Sequence, residues 1–189
     1  KMKLCRFDQN RLGVVVGDRV HDVTEVLEHL PPLRWPVAPG DHFIRHFAAL
    51  KGSLTHAAEQ REGRPVSSVS LLSPVANPSK IIAAPVNYAK HVAEARADAG
   101  INFGAVIKTI DHYGLFLKSN TSIVGPAEGV RLPEGNRRVD HEVEVVVVIG
   151  EECEGVSETH ALDVVFGYCI GLDMSVRGTE DRSWRKSYD

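Results

Sequence analysis

Asp140-His141-Glu142-Val143-Glu144-Val145-Val146-Val147-Val148-Ile149-Gly150 is the most informative stretch of the chain. Alternate side chains of a strand share a face, so Glu142 and Glu144 point the same way, with Cβ atoms ~7 Å apart. The run that follows is apolar on both faces, which predicts an interior strand ended by Gly150. Two carboxylates at the mouth of such a strand repel each other and resist desolvation. A divalent cation removes that cost, and hard oxygen ligands suit Mg²⁺, Mn²⁺ or Ca²⁺. The plainer arrangement is two acids at an exposed strand end, paired with Arg137 and Arg138.

A third acid favours the metal. Asp173 ends the apolar run Phe166-Gly167-Tyr168-Cys169-Ile170-Gly171-Leu172, a predicted strand. Gly167 and Gly171 share its face and leave room beside a ligand or another backbone. A lone strand-end Asp is ordinarily a turn former or a cap, so Asp173 gains weight only from its company. Arg177 and Lys186 follow, and cations beside a metal–carboxylate cluster suit an anionic substrate. The same stretch also holds Glu180, Asp181, Arg182 and Arg185, and so reads equally as a solvated charged loop.

Asn87-Tyr88-Ala89-Lys90-His91-Val92-Ala93-Glu94 opens a predicted helix over residues 89–99, rich in strong helix formers. His91 and Glu94 are three apart and neighbours on one helical face. A carboxylate beside an imidazole fixes its tautomer and raises its basicity, which equips a general base acting on water. A surface ion pair is the common alternative. Residues 100–114 have no clean period and are expected to be a mobile loop, making 88–112 a lid that closes over substrate. His141 alternates away from both glutamates and reads as structural.

Outward from these motifs the chain is ordinary. It has 189 residues, 43% hydrophobic and 25% charged, enough to bury a core without disulfides. A net charge of -3 argues against a general nucleic-acid or acidic-membrane partner. Cys5, Cys153 and Cys169 have no metal spacing and suit reduced thiols in a cytoplasm. Gly17-Asp18 between residues 12–16 and 19–23 signals a hairpin, with a second turn at Asp8-Gln9-Asn10. Residues 31–40 are a Pro-rich loop. Asp41 is placed to cap a helix with the stripe Phe43, Phe47, Leu50 and Leu54. Residues 62–80 read as a linker around one short strand, with the boundary between domains 1–75 and 76–189 inside it. A buried strand is expected at 80–84, short strands at 115–118 and 122–124, and a helix from Ser157 to about 165.

The ordered set Lys80-Ile81-Ile82, Asn87-Tyr88, His91, Phe116-Leu117-Lys118-Ser119 and Ser122-Ile123-Val124-Gly125-Pro126 resembles the fumarylacetoacetate hydrolase family. So do Asp140 to Gly150, Gly167-Tyr168 to Asp173, and Arg177 with Lys186-Ser187, over roughly residues 80–189. The resemblance implies an α+β, mainly β fold: a mixed β-sandwich roll behind a small N-terminal β-rich domain. It implies a cytoplasmic homodimer, and Mg²⁺ (or Mn²⁺ or Ca²⁺) on Glu142, Glu144 and Asp173. It gives His91 and Glu94 the water-activating role, Lys186 that of the active-site lysine, and Arg177 and Glu180 substrate contacts. Many relatives carry Asp and Gln where this chain has Gly178 and Glu180, so one substrate contact differs in charge. Further strands beyond Asp189 are also expected. The implied activity is hydrolysis of a carbon–carbon bond in a small 1,3-dioxo acid, of the fumarylacetoacetate or acylpyruvate type, in aromatic-compound catabolism. The family also holds isomerases of the 5-carboxymethyl-2-hydroxymuconate type and oxaloacetate-type decarboxylases, which need no attacking water. The rival outside enzymology is a non-catalytic metal-binding protein.

Overall fold

The computed structural model describes residues 1–102, 104–132 and 138–177. They are α+β, mainly strands, and fall into two compact units. One comprises residues 1–79, 120–130 and 147–169; the other comprises the described residues of 80–119, 131–146 and 170–177.

In the first unit, β1 (Lys3–Phe7), β2 (Arg11–Val16) and β3 (Arg19–Asp22) form the expected meander. Asp8 and Asn10 take positive φ at the first turn (49° and 62°) and Gly17 at the second (61°), conformations that Asn, Asp and Gly tolerate best. Two short strands, β4 (Arg64–Pro65) and β5 (Leu71–Leu72), complete a five-stranded antiparallel sheet in the order β4-β3-β2-β1-β5. Residues 62–80, expected to be a linker around one short strand, thus carry two strands of this sheet. Their polar composition hid two edge strands, which need only a few backbone bonds to close the sheet.

Helix α1 (His42–Gln60) covers one face of this sheet. Asp41 caps it as expected, Oδ1 accepting from the backbone N–H groups of Phe43 and Ile44 at 3.1 Å each. Its second oxygen accepts from the Ala76 N–H at 2.8 Å, so the cap also fastens the chain after β5. Leu50 and Leu54 are buried with Leu12, Val14, Val23 and Val26, while Phe43 and Phe47 pack at the margin. The opposite sheet face buries Phe7 and Val20 around Gly13, where a Cβ would meet Val20 at 2.6 Å.

The segment after residue 119 departs from expectation. Asn120–Ser122 is a single 3₁₀ turn, and the strand expected at 122–124 does not form. Beyond it the Ala127 N–H donates to the Leu71 carbonyl at 3.0 Å, and Gly125 lies on the β5 backbone. A Cβ at Gly125 would stand 2.3 Å from backbone atoms of Leu72 and Ser73, so only glycine permits this approach.

The second unit contains β6 (Ile81–Ala83), paired antiparallel with β7 (Phe116–Lys118). Strand β6 is half-buried, with Ile82 exposed, rather than fully buried. Between them lie α2 (Ala89–Ala97), α3 (Ala99–Asn102) and α4 (Ile110–Tyr113). The expected loop at 100–114 thus contains two single-turn helices, held by local bonds such as Arg96 Nε to the Ile107 carbonyl at 3.3 Å. Their shortness erases any period from the sequence.

Strands β8 (Val139–Ile149) and β9 (Val165–Val176) form a two-stranded ladder. Gly150 donates to Val164 at one end and Arg177 to Arg138 at the other, which makes the pair antiparallel. The connection holds one 3₁₀ turn, Glu158–His160, in place of the expected helix to 165. Ser157 bonds Thr159 and His160 through its Oγ instead of capping, and the β-branched Val164-Val165 leads into the ladder. Among the described residues β8 pairs with β9 alone. Val143 and Val145 are 65% and 62% exposed. All three cysteines are free thiols, and burial pushes Cys5 up to about 11. Among the described residues, no helix is long and apolar enough to cross a membrane.

Two substitutions test this packing by urea denaturation. Gly125→Ala forces apart two backbones and should cost ~1–3 kcal/mol. Asp41→Ala removes a cap and should cost ~1–2 kcal/mol.

Candidate active site

Strand periodicity arranges the polar groups of the second unit. On β8 Asp140, Glu142 and Glu144 are partly buried, and so on β9 are Gly171, Asp173 and Ser175, followed by Arg177. Side-chain bonds put the two sets on one face. Glu142 accepts from Ser175 Oγ at 3.3 Å and from the Arg177 guanidinium, whose Nε also reaches Asp140 at 3.1 Å. Arg138 extends the network, binding Asp140 and Asp98 at 2.8 Å each. Asp98 ends α2 and also accepts from the Gly100 N–H at 2.7 Å. The Arg138 hydrogen bonds hold the carboxyls of both Asp98 and Asp140 below the usual carboxylate range.

Asp173 meets a different cation. The Lys118 ammonium, from β7, lies against Oδ1 of Asp173. That buried oxygen is neutralised by contact but receives no aimed hydrogen bond. Glu144 has no ion pair or hydrogen bond among the described residues. The expected convergence of Glu142, Glu144 and Asp173 is therefore not the arrangement seen. Among the described residues no three His, Cys, Asp or Glu side chains gather closely enough to hold a metal ion. The reason is electrostatic: Glu142 is drawn to Arg177 and Asp173 to Lys118, each carboxylate taking its own cation. The donor set itself suits a hard divalent ion, being all oxygen, on one face of one ladder, with one oxygen buried and unbonded.

His91 and Glu94 stand on α2, with His91 Nδ1 3.5 Å from Glu94 Oε2, the long limit of a hydrogen bond. With Nδ1 turned to the carboxylate, Nε2 is the nitrogen left for another partner. The helix is tied to β8 at both ends. Asp98 binds Arg138, and the Tyr88 hydroxyl at its start accepts from the Val145 N–H at 3.3 Å. Glu180 and Lys186 lie outside the described residues.

Sequence reasoning missed Lys118, Asp140 and Ser175. Asp140 shares the period-two register of Glu142 and Glu144, and Ser175 that of Asp173, so both were within reach. Lys118 was not, because its partner lies 55 positions later on a different pair of strands. The alternative pairing of Glu142 and Glu144 with Arg137 and Arg138 is not seen among the described residues: Glu142 meets Arg177, and Arg138 binds Asp140 instead.

Comparison with known proteins adds a family. The family model described as fumarylacetoacetate (FAA) hydrolase C-terminal matches residues 80–187. A maleylpyruvate hydrolase of Aquipseudomonas alcaligenes is 50% identical over 190 residues, covering 100% of this chain and 66% of that protein. An oxaloacetate tautomerase (fahd2, mitochondrial) of Xenopus laevis is 38% identical over 111 residues, 59% of this chain and 32% of its own length. Among solved structures, a maleylpyruvate hydrolase from Sphingobium sp. SYK-6, in complex with manganese(II) and pyruvate, superposes with a TM-score of 0.71. It is 38% identical and covers 98% of this chain and 62% of that one. The chain thus spans just under two thirds of these two maleylpyruvate hydrolases.

The network has a testable pH signature. Asp98 and Asp140 have lowered folded-state values, so the stability they add is present above the unfolded Asp value of ~3.9. It is lost as pH falls through their lowered folded values. Thermal melts from pH 7 to pH 3 should show this drop, and Arg138→Gln should flatten it while lowering stability at neutral pH. The matched family segment and the residues of this ladder lead to one conclusion: the chain belongs to the fumarylacetoacetate hydrolase family, whose C-terminal model its residues 80–187 match.

Proposed function

We propose that the protein hydrolyses a carbon–carbon bond in a small 1,3-dioxo acid of the acylpyruvate type, with maleylpyruvate as the foremost substrate. The observation that carries this reading is the 50% identity to a maleylpyruvate hydrolase along the whole chain. The His91–Glu94 pair supports it, because hydrolysis needs a base for water, whereas tautomerisation or decarboxylation does not.

In this proposal Glu142, Glu144 and Asp173 hold a divalent ion, Mg²⁺ or Mn²⁺. Such an ion, when bound, supplies Lewis acidity to the oxo groups of the substrate. Glu94 keeps His91 oriented through Nδ1, and Nε2 takes a proton from water. The hydroxide so formed attacks the oxo carbon distal to the pyruvate end. As the carbon–carbon bond breaks, its electron pair passes to the pyruvate carbon as an enolate, which then regains a proton. Arg177, two residues beyond Ser175 on the carboxylate face, holds a substrate carboxylate through its planar fork. Lys186 takes the part of the active-site lysine and Glu180 that of a substrate contact, as the family resemblance implies. The lid is α2 with the segment after it, and the protein works as a cytoplasmic homodimer.

Maleylpyruvate cleavage followed by ultraviolet absorbance, with Mn²⁺ or Mg²⁺ added, tests the reading. His91→Ala should lower kcat by about 10²–10⁴-fold while leaving Mn²⁺ affinity almost unchanged. A loss below about tenfold would defeat the base role. Retention of oxaloacetate tautomerisation with no cleavage of any acylpyruvate would move the protein to the other branch of its family.

A further inference from the structure

Lys118 has no part in the mechanism above, yet it occupies a place that the mechanism needs. A lysine on a short exposed strand normally extends its ammonium into water. Lys118 instead lays it on Asp173, with 30% of the lysine side chain and 18% of the aspartate side chain exposed. The Phe116 ring, with its centroid 5.9 Å from the ammonium, borders it on its own strand. Pairing of Lys118 with Ile81 sets its register in the β6–β7 ladder, so the approach to Asp173 is built into the strand pairing. Arg177 treats Glu142 in the same way, with 19% of its side chain exposed. Two of the three carboxylates proposed to hold the divalent ion therefore carry an internal cation each.

We propose that Lys118 is an exchangeable counterion. It neutralises Asp173 until a divalent ion takes that carboxylate, and the released ammonium then binds an anionic oxygen of the oxo-acid. This rests on the metal reading given under Proposed function. A divalent ion on Asp173 competes with the ammonium for the same small carboxylate, and the two cations repel each other at contact distance. That repulsion favours displacement of the ammonium, and its four-carbon stem lets it swing while the strand stays in place. A dioxo acid brings the negative charge that the displaced ammonium lacks. Two consequences separate this from a merely structural ion pair. The internal cation weakens metal binding in the absence of substrate. It also couples metal and substrate positively, each tightening the other by the same factor.

The test titrates Mn²⁺ into purified protein by calorimetry, with and without oxalate as the oxo-acid probe. Lys118→Met should bind Mn²⁺ alone about tenfold more tightly than wild type and lose most of the enhancement by oxalate. Lys118→Arg, which keeps the charge, should stay close to wild type. A second measurement needs no variant: the reactivity of Lys118 toward reductive methylation, read by mass spectrometry. Lys118 should be protected in EDTA, reactive with Mn²⁺ alone, and protected again with Mn²⁺ and oxalate. If Lys118→Met is only less stable in EDTA, with unchanged Mn²⁺ affinity and oxalate enhancement, the exchange is overturned and the metal reading stands. Equal methylation in all three states overturns it as well, even if Lys118→Met does not fold. Failure of wild type to bind Mn²⁺ at all removes the metal reading, and the exchange with it.

Discussion

Three acids at alternate positions of one strand, Asp140, Glu142 and Glu144, face the same side of a two-stranded ladder, and their mutual repulsion must be offset. Much else in the second unit follows from how this is done. Arg177 reaches back from the end of β9 to two of them, and Arg138 joins the first to Asp98 at the end of α2. Charge compensation thereby becomes tertiary structure, since the helix bearing His91 is tied to the strand bearing the carboxylates. The Tyr88 hydroxyl on the Val145 N–H makes the matching tie at the other end of that helix. The base pair and the acidic face are fastened together by groups that take no part in the proposed chemistry.

The two units reach order by different means. In the first, an antiparallel sheet buries Phe7 and Val20 on one side and Leu12, Val14 and the α1 stripe on the other. Hydrophobic burial there is continuous and needs no charges. In the second, Ala95 is the one described residue that counts as a buried hydrophobic. Its ordering rests on strand pairing and on ion pairs whose members keep partial contact with water. Such pairs are individually weak and can be rearranged at small cost. The apolar side of the ladder is left bare, with Val143, Val145, Ile170 and Leu172 more than half exposed.

Likeness to two maleylpyruvate hydrolases and to an oxaloacetate tautomerase fits this picture. An enol or enolate of a small oxo-acid needs an oxygen-ligated cation and nearby positive side chains, whichever bond changes. Choice among cleavage, tautomerisation and decarboxylation depends on whether a base meets water. In the proposed function that base is His91, whose Nδ1 contact with Glu94 is long and whose helix is tied to β8 at both ends.

The sequence by itself determined whatever depends on neighbours along the chain. The meander around Gly17, the Asp41 cap, the α1 stripe, the helix at Ala89 and both long strands were legible from turn chemistry and periodicity. So was the common face of Glu142 and Glu144, because alternation in a strand is a local rule. The ordered family motifs named the fold. Tertiary structure decided the rest. Residues 62–80 read as a linker because strands of two residues carry no period, and only pairing with β1 and β3 makes them strands. The expected helix after Ser157 yielded to the ladder, since β-branched Val164 and Val165 gain more by pairing than by coiling. Which cation meets which carboxylate was beyond the sequence as well. Lys118 finds Asp173 across 55 positions because two separate strand pairs bring them together, and no local rule relates such distant residues.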